Sequence, residues 1–410
     1  MPTVHPAATP TAAGEPAHPS VGAATSLLDA YRPGARFLAT PTRTLLAEGV
    51  HAPVPADDRP LPERVRTAVA RAARAGHPRP LVIGCVPFAP DAPLAPDALV
   101  VPETVLERPP LSADPLVALP PEPASGAQWT VAPVPAPEVY AAGVEDAVRR
   151  MRAGEFDKVV LARSLDLTSD APLDLPAMLQ RLARRDPGAY NFALPTGPGR
   201  TLVGASPELL VSRRGDRLVA NPLAGSVPRS GDLAEDVSRA AALLRSPKDL
   251  HEHAVVVEAM QRALAPYTTG LVVPERPTLI RTATMWHLST TLTATVAHPD
   301  LSALELATAL HPTPAVCGTP TDVARRVIGA TEAFDRGFFT GMVGWQDASG
   351  DGEWVVTIRC AEAEEDGPGG GGRLRLYAGA GIVPDSRPEE ETAETAAKFR
   401  TFLQAVGVSL

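Results

Sequence analysis

The stretch PEVYAAGVEDAVRRMRAGEFDKVVLARS, Pro137 to Ser164, changes its period half-way along. Up to about Arg152 the apolar residues recur at helical spacing, with Val139, Ala142, Ala147, Val148 and Met151 facing inward. After Gly154 the spacing collapses into an unbroken apolar run, Val159-Val160-Leu161, which reads as a buried strand. Downstream the same texture recurs. Strands are expected near Tyr190–Leu194, Thr201–Ser212, Thr282–Val296, Phe338–Gln346, Glu353–Ala361 and Arg373–Val383. Helices are expected near Leu233–Leu244, Lys248–Ala265 and Pro388–Val406. Strands and helices do not alternate regularly, so the pattern predicts an α+β fold with a large antiparallel sheet system rather than a doubly wound parallel one.

Upstream, ERVRTAVARAARAG (Glu63–Gly76) reads as an amphipathic helix stopped by glycine, and RPLVIGCVPF (Arg79–Phe88) as a buried strand running into a turn. PPLSADPLVALPPEPASG (Pro109–Gly126) reads as an extended surface connection. EEDGPGGGGR (Glu364–Arg373) has the composition of a hairpin tip. Residues 1–25 are Pro/Ala/Thr-rich and predict disorder. Residues 26–410 then form one domain, with a change of texture between 26–135 and 137–408.

Of 410 residues, 44% are hydrophobic and 21% charged, a globular balance with a net charge of −9 and no long basic run. This argues against nucleic acid or an anionic membrane as a partner. No apolar run reaches membrane-spanning length. Cys85, Cys317 and Cys360 are too few and too scattered for a disulfide framework or a zinc site. Residues 1–31 lack the Lys and Arg of a secretory or mitochondrial leader, so a cytoplasmic location is expected.

Only three of the 38 basic residues are lysine: Lys158, Lys248 and Lys398. Arg replaces Lys freely where only charge matters, but a compact ammonium that can shed its proton on burial is something Arg cannot supply. Each lysine is therefore a candidate for chemistry. On the last helix Glu391, Glu394 and Lys398 share a face. The plain reading is a solvated ion-paired face; the functional one is a carboxylate pair for a hard cation such as Mg²⁺. HEH (His251–His253) is not a zinc motif, because neighbouring helical positions point about 100° apart. It leaves Glu252 as a ligand candidate. Arg359, in the apolar run VTIRCAE, needs an anion, either from the protein or from a ligand. The glycines of NPLAGSVPR and YAGAGIV allow a ligand to approach the backbone.

Taken in order, DKVVLARS, IGASPELLVSRRGD, NPLAGSVPRS, KDLHEHAVVVEAM, TMWHLST, LHPTPAVCGTP, FDRGFFTGMVGW, GEWVVTIRCAE and YAGAGIV resemble the chorismate-utilising enzymes, in particular the isochorismate synthases of catecholate siderophore pathways. The resemblance runs strongly from about Pro137 to Leu403 and more weakly from about Ser26. It implies two large antiparallel sheets in a sandwich flanked by helices. It also implies a Mg²⁺-dependent conversion of chorismate to isochorismate, in which water attacks ring C2 and the C4 hydroxyl leaves. By motif, Lys158 is the base and Glu208 the acid. Glu252 and Glu394 hold Mg²⁺, with Glu391 in reach of it through water. Arg359 and the backbone of Gly379, Ala380 and Gly381 hold the enolpyruvyl carboxylate, and Gly225, Ser226, His287, Ala315 and Lys398 line the pocket. Burial should lift the proton affinity of Glu208. Ala224 stands where aminodeoxychorismate synthases often carry a nucleophilic lysine, which favours direct attack by water. A salicylate-forming or aminating chorismate enzyme is the alternative. A monomer passing its product to an isochorismatase-type enzyme is the expected context.

Overall fold

The structure is a computed structural model and describes residues 21–89, 92–124, 127–365 and 370–408. Its frame is a 10-stranded and a 9-stranded sheet, accompanied by a 3-stranded one, with every strand pair antiparallel. The expected fold class holds, and the small third sheet is an addition to it. The large sheets face each other. Leu38, Phe192, Leu194 and Leu202 of the first meet Ile83, Leu209, Val343, Trp345 and Val355 of the second in one buried cluster. Strand alternation sends the neighbours the other way: Phe37 and Ala39 flank Leu38 but point outward. There they pack under the helices Ala23–Ala30, Leu175–Arg185 and Pro388–Ala405. The second sheet is covered likewise by Leu61–Arg74, Pro247–Leu264 and Ala303–Leu310, through Val65, Val256, Met260 and Leu304. Each fully buried side chain such as Leu38 contributes about 1.5–3 kcal/mol.

Three runs read as continuous in the sequence are broken in space. Arg200–Ser206 belongs to the first sheet and Leu209–Arg214 to the second. Gly352–Val356 lies in the second and Cys360–Glu364 in the first. These strands pair with each other on both sides of the break, so an antiparallel ribbon bends from one sheet into the other. A second ribbon does the same. Arg217–Asn221 pairs with Leu292–Val296 in the second sheet, and its continuation Leu223–Pro228 pairs with Met285–Ser289 in the small sheet. Apolar content is equal on both sides of each bend, which is why periodicity could not reveal it.

Other differences are local. On helix Pro137–Arg152 the inward face is Tyr140, Val144, Ala147, Val148 and Met151, whereas Val139 and Ala142 are exposed. The face is rotated because Tyr140 reaches Leu161 O with its hydroxyl, at 3.1 Å. Within Pro109–Gly126, Leu111 and Val117 are buried in two 3₁₀ turns, Leu111–Ala113 and Pro115–Ala118. Between those turns the Asp114 carboxylate accepts from the backbone N–H of Gly22, Ala24 and Thr25. Residues 21–25 are therefore part of the fold, against the expected disorder of 1–25, and 1–20 lie outside the described residues. So does the tip of the glycine-rich hairpin, 366–369.

Candidate active site

Both ribbon bends open on one cavity. The first bend places Glu208 and Arg359 side by side. Ser206 Oγ donates to Val356 O at 2.7 Å and accepts from Glu208 N at 3.2 Å, while Val356 N donates to Glu208 O at 3.1 Å and Ala205 N to Arg359 O at 3.2 Å. Arg359 takes φ 53°, a left-handed conformation rare for a side-chain-bearing residue, and so its guanidinium leaves the strand and enters the cavity. The second bend supplies Gly225 and Ser226, with His287 directly opposite Ser226 in register. Gly225 has φ 75° at a register shift in its strand, a backbone turn that glycine allows.

The strand Arg373–Ile382 pairs with Lys158–Ser169 and forms the floor. Period-2 alternation presents Tyr377, Gly379 and Gly381 to the cavity. Ala380, whose backbone was expected at the site, turns its methyl to the opposite face, where it packs with Val144, Val159 and Ile382. Lys158 is fully buried and stands behind the lining residues, with Nζ 3.0 Å from Glu252 Oε1 but not aligned for a hydrogen bond. A Cβ on Gly381 would come within 2.1 Å of Glu252 Oε1 and 3.1 Å of Lys158 Cε. The glycine makes the room in which these two side chains meet.

The helices complete the wall. Pro247–Leu264 brings in Glu252, and Pro388–Ala405 brings in Glu394 and Lys398. Ala315 lies on the lining as expected. Glu391 does not. It is buried one turn from Glu394 and accepts from Lys248 Nζ at 2.6 Å. Each of the three lysines is thus paired with a glutamate: Lys158 with Glu252, Lys248 with Glu391, and Lys398 with Glu394 at 2.5 Å. Lys398 also donates to Gly379 O at 2.7 Å, and Ser226 Oγ donates to Glu394 at 3.1 Å.

The electrostatics divide the site into distinct roles. Burial pushes the Glu208 carboxyl up to about 8, against the pull of the Leu223 N–H and of Lys158 and Arg359, so it carries a proton at neutral pH. Burial also raises Glu394, but Lys398, Lys248 and Ser226 outweigh it and hold this carboxyl below the usual range. Glu391 is raised, by burial first and then by the charge of Glu394. Burial, with Arg359 and Lys398 adding, holds His287 well below its ordinary value, so its ring is neutral. Its Nε2 can then accept from Arg359 Nη2, 3.3 Å away. Burial lowers Arg359 to about 10, still cationic at neutral pH, and leaves its Nη1 buried with no hydrogen-bond partner among the described residues. A buried guanidinium with a free N–H on a cavity wall is a site for an anion.

A hard cation fits the same cavity. Glu252, Glu394 and the Ser226 hydroxyl are all oxygen donors on its wall. Among the described residues no group of three or more His, Cys, Asp and Glu gathers as a metal site. Two carboxylates and a hydroxyl are the donor set of an ion that takes one or two protein carboxylates and completes its shell with water and ligand, as Mg²⁺ does. Sequence reasoning missed Phe339, Thr340 and Tyr377 on the lining. The rings of Phe339 and Tyr377 stack at 4.8 Å. Tyr377 was recoverable from its two-residue spacing to Gly379; Thr340, at φ 57°, owes its place to a backbone turn that no local pattern marks.

The family model described as chorismate binding enzyme matches residues 117–407. The chain belongs to the chorismate binding enzymes. Isochorismate synthase DhbC of Bacillus subtilis is 52% identical to this chorismate binding enzyme over 393 residues, 93% of this chain and 96% of that one. Isochorismate synthase EntC of Escherichia coli K12 is 38% identical over 360 residues, 86% and 87% of the two chains. The crystal structure of DhbC from Bacillus anthracis superposes with a TM-score of 0.87 at 47% identity, covering 94% of this chain and all of that one. Anthranilate synthase component I of Streptococcus pneumoniae shares the fold, at a TM-score of 0.68 and 20% identity. No helix among the described residues is long and apolar enough to cross a membrane.

Proposed function

We propose that this enzyme is an isochorismate synthase serving a catecholate siderophore or related pathway. The observation that carries the reading is the pairing, in one cavity, of a protonated buried carboxyl with a partly unsatisfied buried guanidinium: Glu208 at about 8 and Arg359 Nη1 with no partner among the described residues. Chorismate is a dicarboxylate carrying a ring hydroxyl that must leave. Arg359, held from behind by His287, binds the enolpyruvyl carboxylate beside the bare backbone of Gly379 and Gly381. Glu208 protonates the departing C4 hydroxyl, which leaves as water. Lys158 takes a proton from the water that attacks C2, and both ring double bonds shift, C1=C2 to C1=C6 and C5=C6 to C4=C5, as the C4–O bond breaks. One water enters and one leaves, so the product is an isomer of the substrate.

Glu252 and Glu394 would hold Mg²⁺, which when bound neutralises the ring carboxylate and orients it. The apolar lining and the stacked Phe339 and Tyr377 limit bulk water, so that the activated water is the nucleophile. Ala224 is buried at the cavity wall and offers no side-chain nucleophile, which supports direct attack by water over a covalent route. The protein acts in the cytoplasm as a monomer and hands isochorismate to an isochorismatase-type enzyme. Product analysis of the purified protein with chorismate and Mg²⁺, with and without ammonium, tests the reading. Isochorismate is expected in both cases. Salicylate with pyruvate, or an aminated product when ammonium is present, would overturn it in favour of a neighbouring chorismate activity.

A further inference from the structure

Two of the three lysine–glutamate pairs lie at the cavity, and the third has no role in the chemistry above. Lys248 is the second residue of helix Pro247–Leu264, one turn before Glu252 and on the same face. Glu391 and Glu394 are likewise one turn apart on helix Pro388–Ala405. The Lys248–Glu391 pair, at 2.6 Å, therefore joins the two helices that carry the cation carboxylates. Its members differ in setting: the Lys248 side chain is 27% exposed and the Glu391 side chain 1%. Glu391 has the position along its helix to serve the cavity, yet it lies off the lining, turned to the ammonium.

We propose that Lys248 is a positioning residue that sets the divalent-cation affinity of the cavity, by holding the Glu391 carboxylate away from it and compensating its charge. This rests on the reading of Glu252 and Glu394 as cation ligands. With Glu391 withheld, two carboxylates remain on the wall, and each already faces a lysine. A cation then finds little uncompensated negative charge until an anionic substrate arrives with its own carboxylates. Removing the ammonium adds one negative charge near the cavity and frees a third carboxylate one turn from Glu394.

The test is titration calorimetry of Mg²⁺ into the metal-stripped full chain without substrate. Lys248→Met and Lys248→Gln are expected to bind Mg²⁺ about tenfold tighter than the wild type, since a charge several ångströms from a divalent ion is worth that much in a partly solvated site. Lys248→Arg, which keeps the pair, is expected to stay within about twofold, and Lys248→Met with Glu391→Gln to return close to the wild type. Lys248→Gln retains a donor for the buried carboxylate and carries the test if the methionine variant does not fold. Affinity unchanged or weakened in the single variants, with the wild type binding, overturns the proposal and makes the pair a structural tie. Absence of binding in every form overturns the cation reading itself.

Discussion

In the proposed reaction one fold gives Lys158 and Glu208 opposite tasks, as base and as acid. Neither is exposed, and both lie within a few residues of apolar strand sequence. If Lys158 takes the proton from water, Lys158→Arg keeps the charge and still loses activity nearly as fully as Lys158→Ala, by about 10²–10⁴-fold in kcat. A Lys158→Arg enzyme within about threefold of the wild type would show that only the charge is needed. Glu208 makes a pH prediction. Its carboxyl holds a proton up to about 8, so kcat should fall as pH rises through that value, and Glu208→Gln should lower kcat and remove the limb. The sign for stability follows from the same shift. Between the ordinary 4.5 and about 8 the folded chain keeps a proton that the unfolded chain has released. Glu208 therefore makes the fold less stable as pH rises through that window, and Tm of Glu208→Gln should depend less on pH there.

At the scale of elements, the site is a property of bends. A straight strand points alternate side chains to fixed faces, whereas a ribbon leaving one sheet for another turns Glu208 and Arg359 toward each other. The floor strand adds the second requirement, a glycine where two charged side chains from other elements meet. Gly381→Ala places a Cβ within 2.1 Å of Glu252 Oε1, so the carboxylate or the strand must shift. The expected outcome is a folded protein whose Mg²⁺ dependence moves to higher concentration by at least about tenfold, read from activity against free Mg²⁺, because misplacing one ligand costs about 1.4 kcal/mol or more. Retention of the wild-type Mg²⁺ dependence would mean that Glu252 is not a ligand.

For the whole molecule, the two sheets share one internal core and are closed outside by helices drawn from both ends of the chain. Asp114 is a small tie in that arrangement. Its carboxylate accepts from Gly22 N, Ala24 N, Thr25 N, Thr25 Oγ1 and Leu116 N, fixing helix Ala23–Ala30 about 90 residues away. Asp114→Ala leaves those donors without their acceptor and should cost about 1–3 kcal/mol, measured by denaturant unfolding, with kcat unchanged because the tie is remote from the cavity. Burial acts to raise this carboxyl, but the hydrogen bonds to Thr25, Gly22 and Leu116 prevail and hold it below its ordinary value. Its contribution is thus present above the usual carboxylate range and is lost as pH falls through the depressed value.

What the sequence determined by itself was whatever rests on local pattern or on chemical identity. The change of period after Gly154 marked a helix and then a strand, and the observed Pro137–Arg152 and Lys158–Ser169 follow it. The scarcity of lysine singled out three ammonium groups, each of which the fold pairs with a glutamate. The ordered motifs marked eleven of the lining residues, Glu208 and Arg359 among them. Tertiary structure alone decided the rest. Thr201–Ser212 and Glu353–Ala361 read as single strands because burial is equal on both sides of their bends, and only the pairing partners differ. The rotation that exposes Val139 and buries Tyr140 depends on a carbonyl 21 residues away. Which face the Ala380 methyl takes was settled by register, and whether Glu391 meets the cavity by Lys248 on another helix. Periodicity reports how much of a segment is buried; which surface it is buried against is set by long-range packing, and in this enzyme the cavity is made where that packing changes sheets.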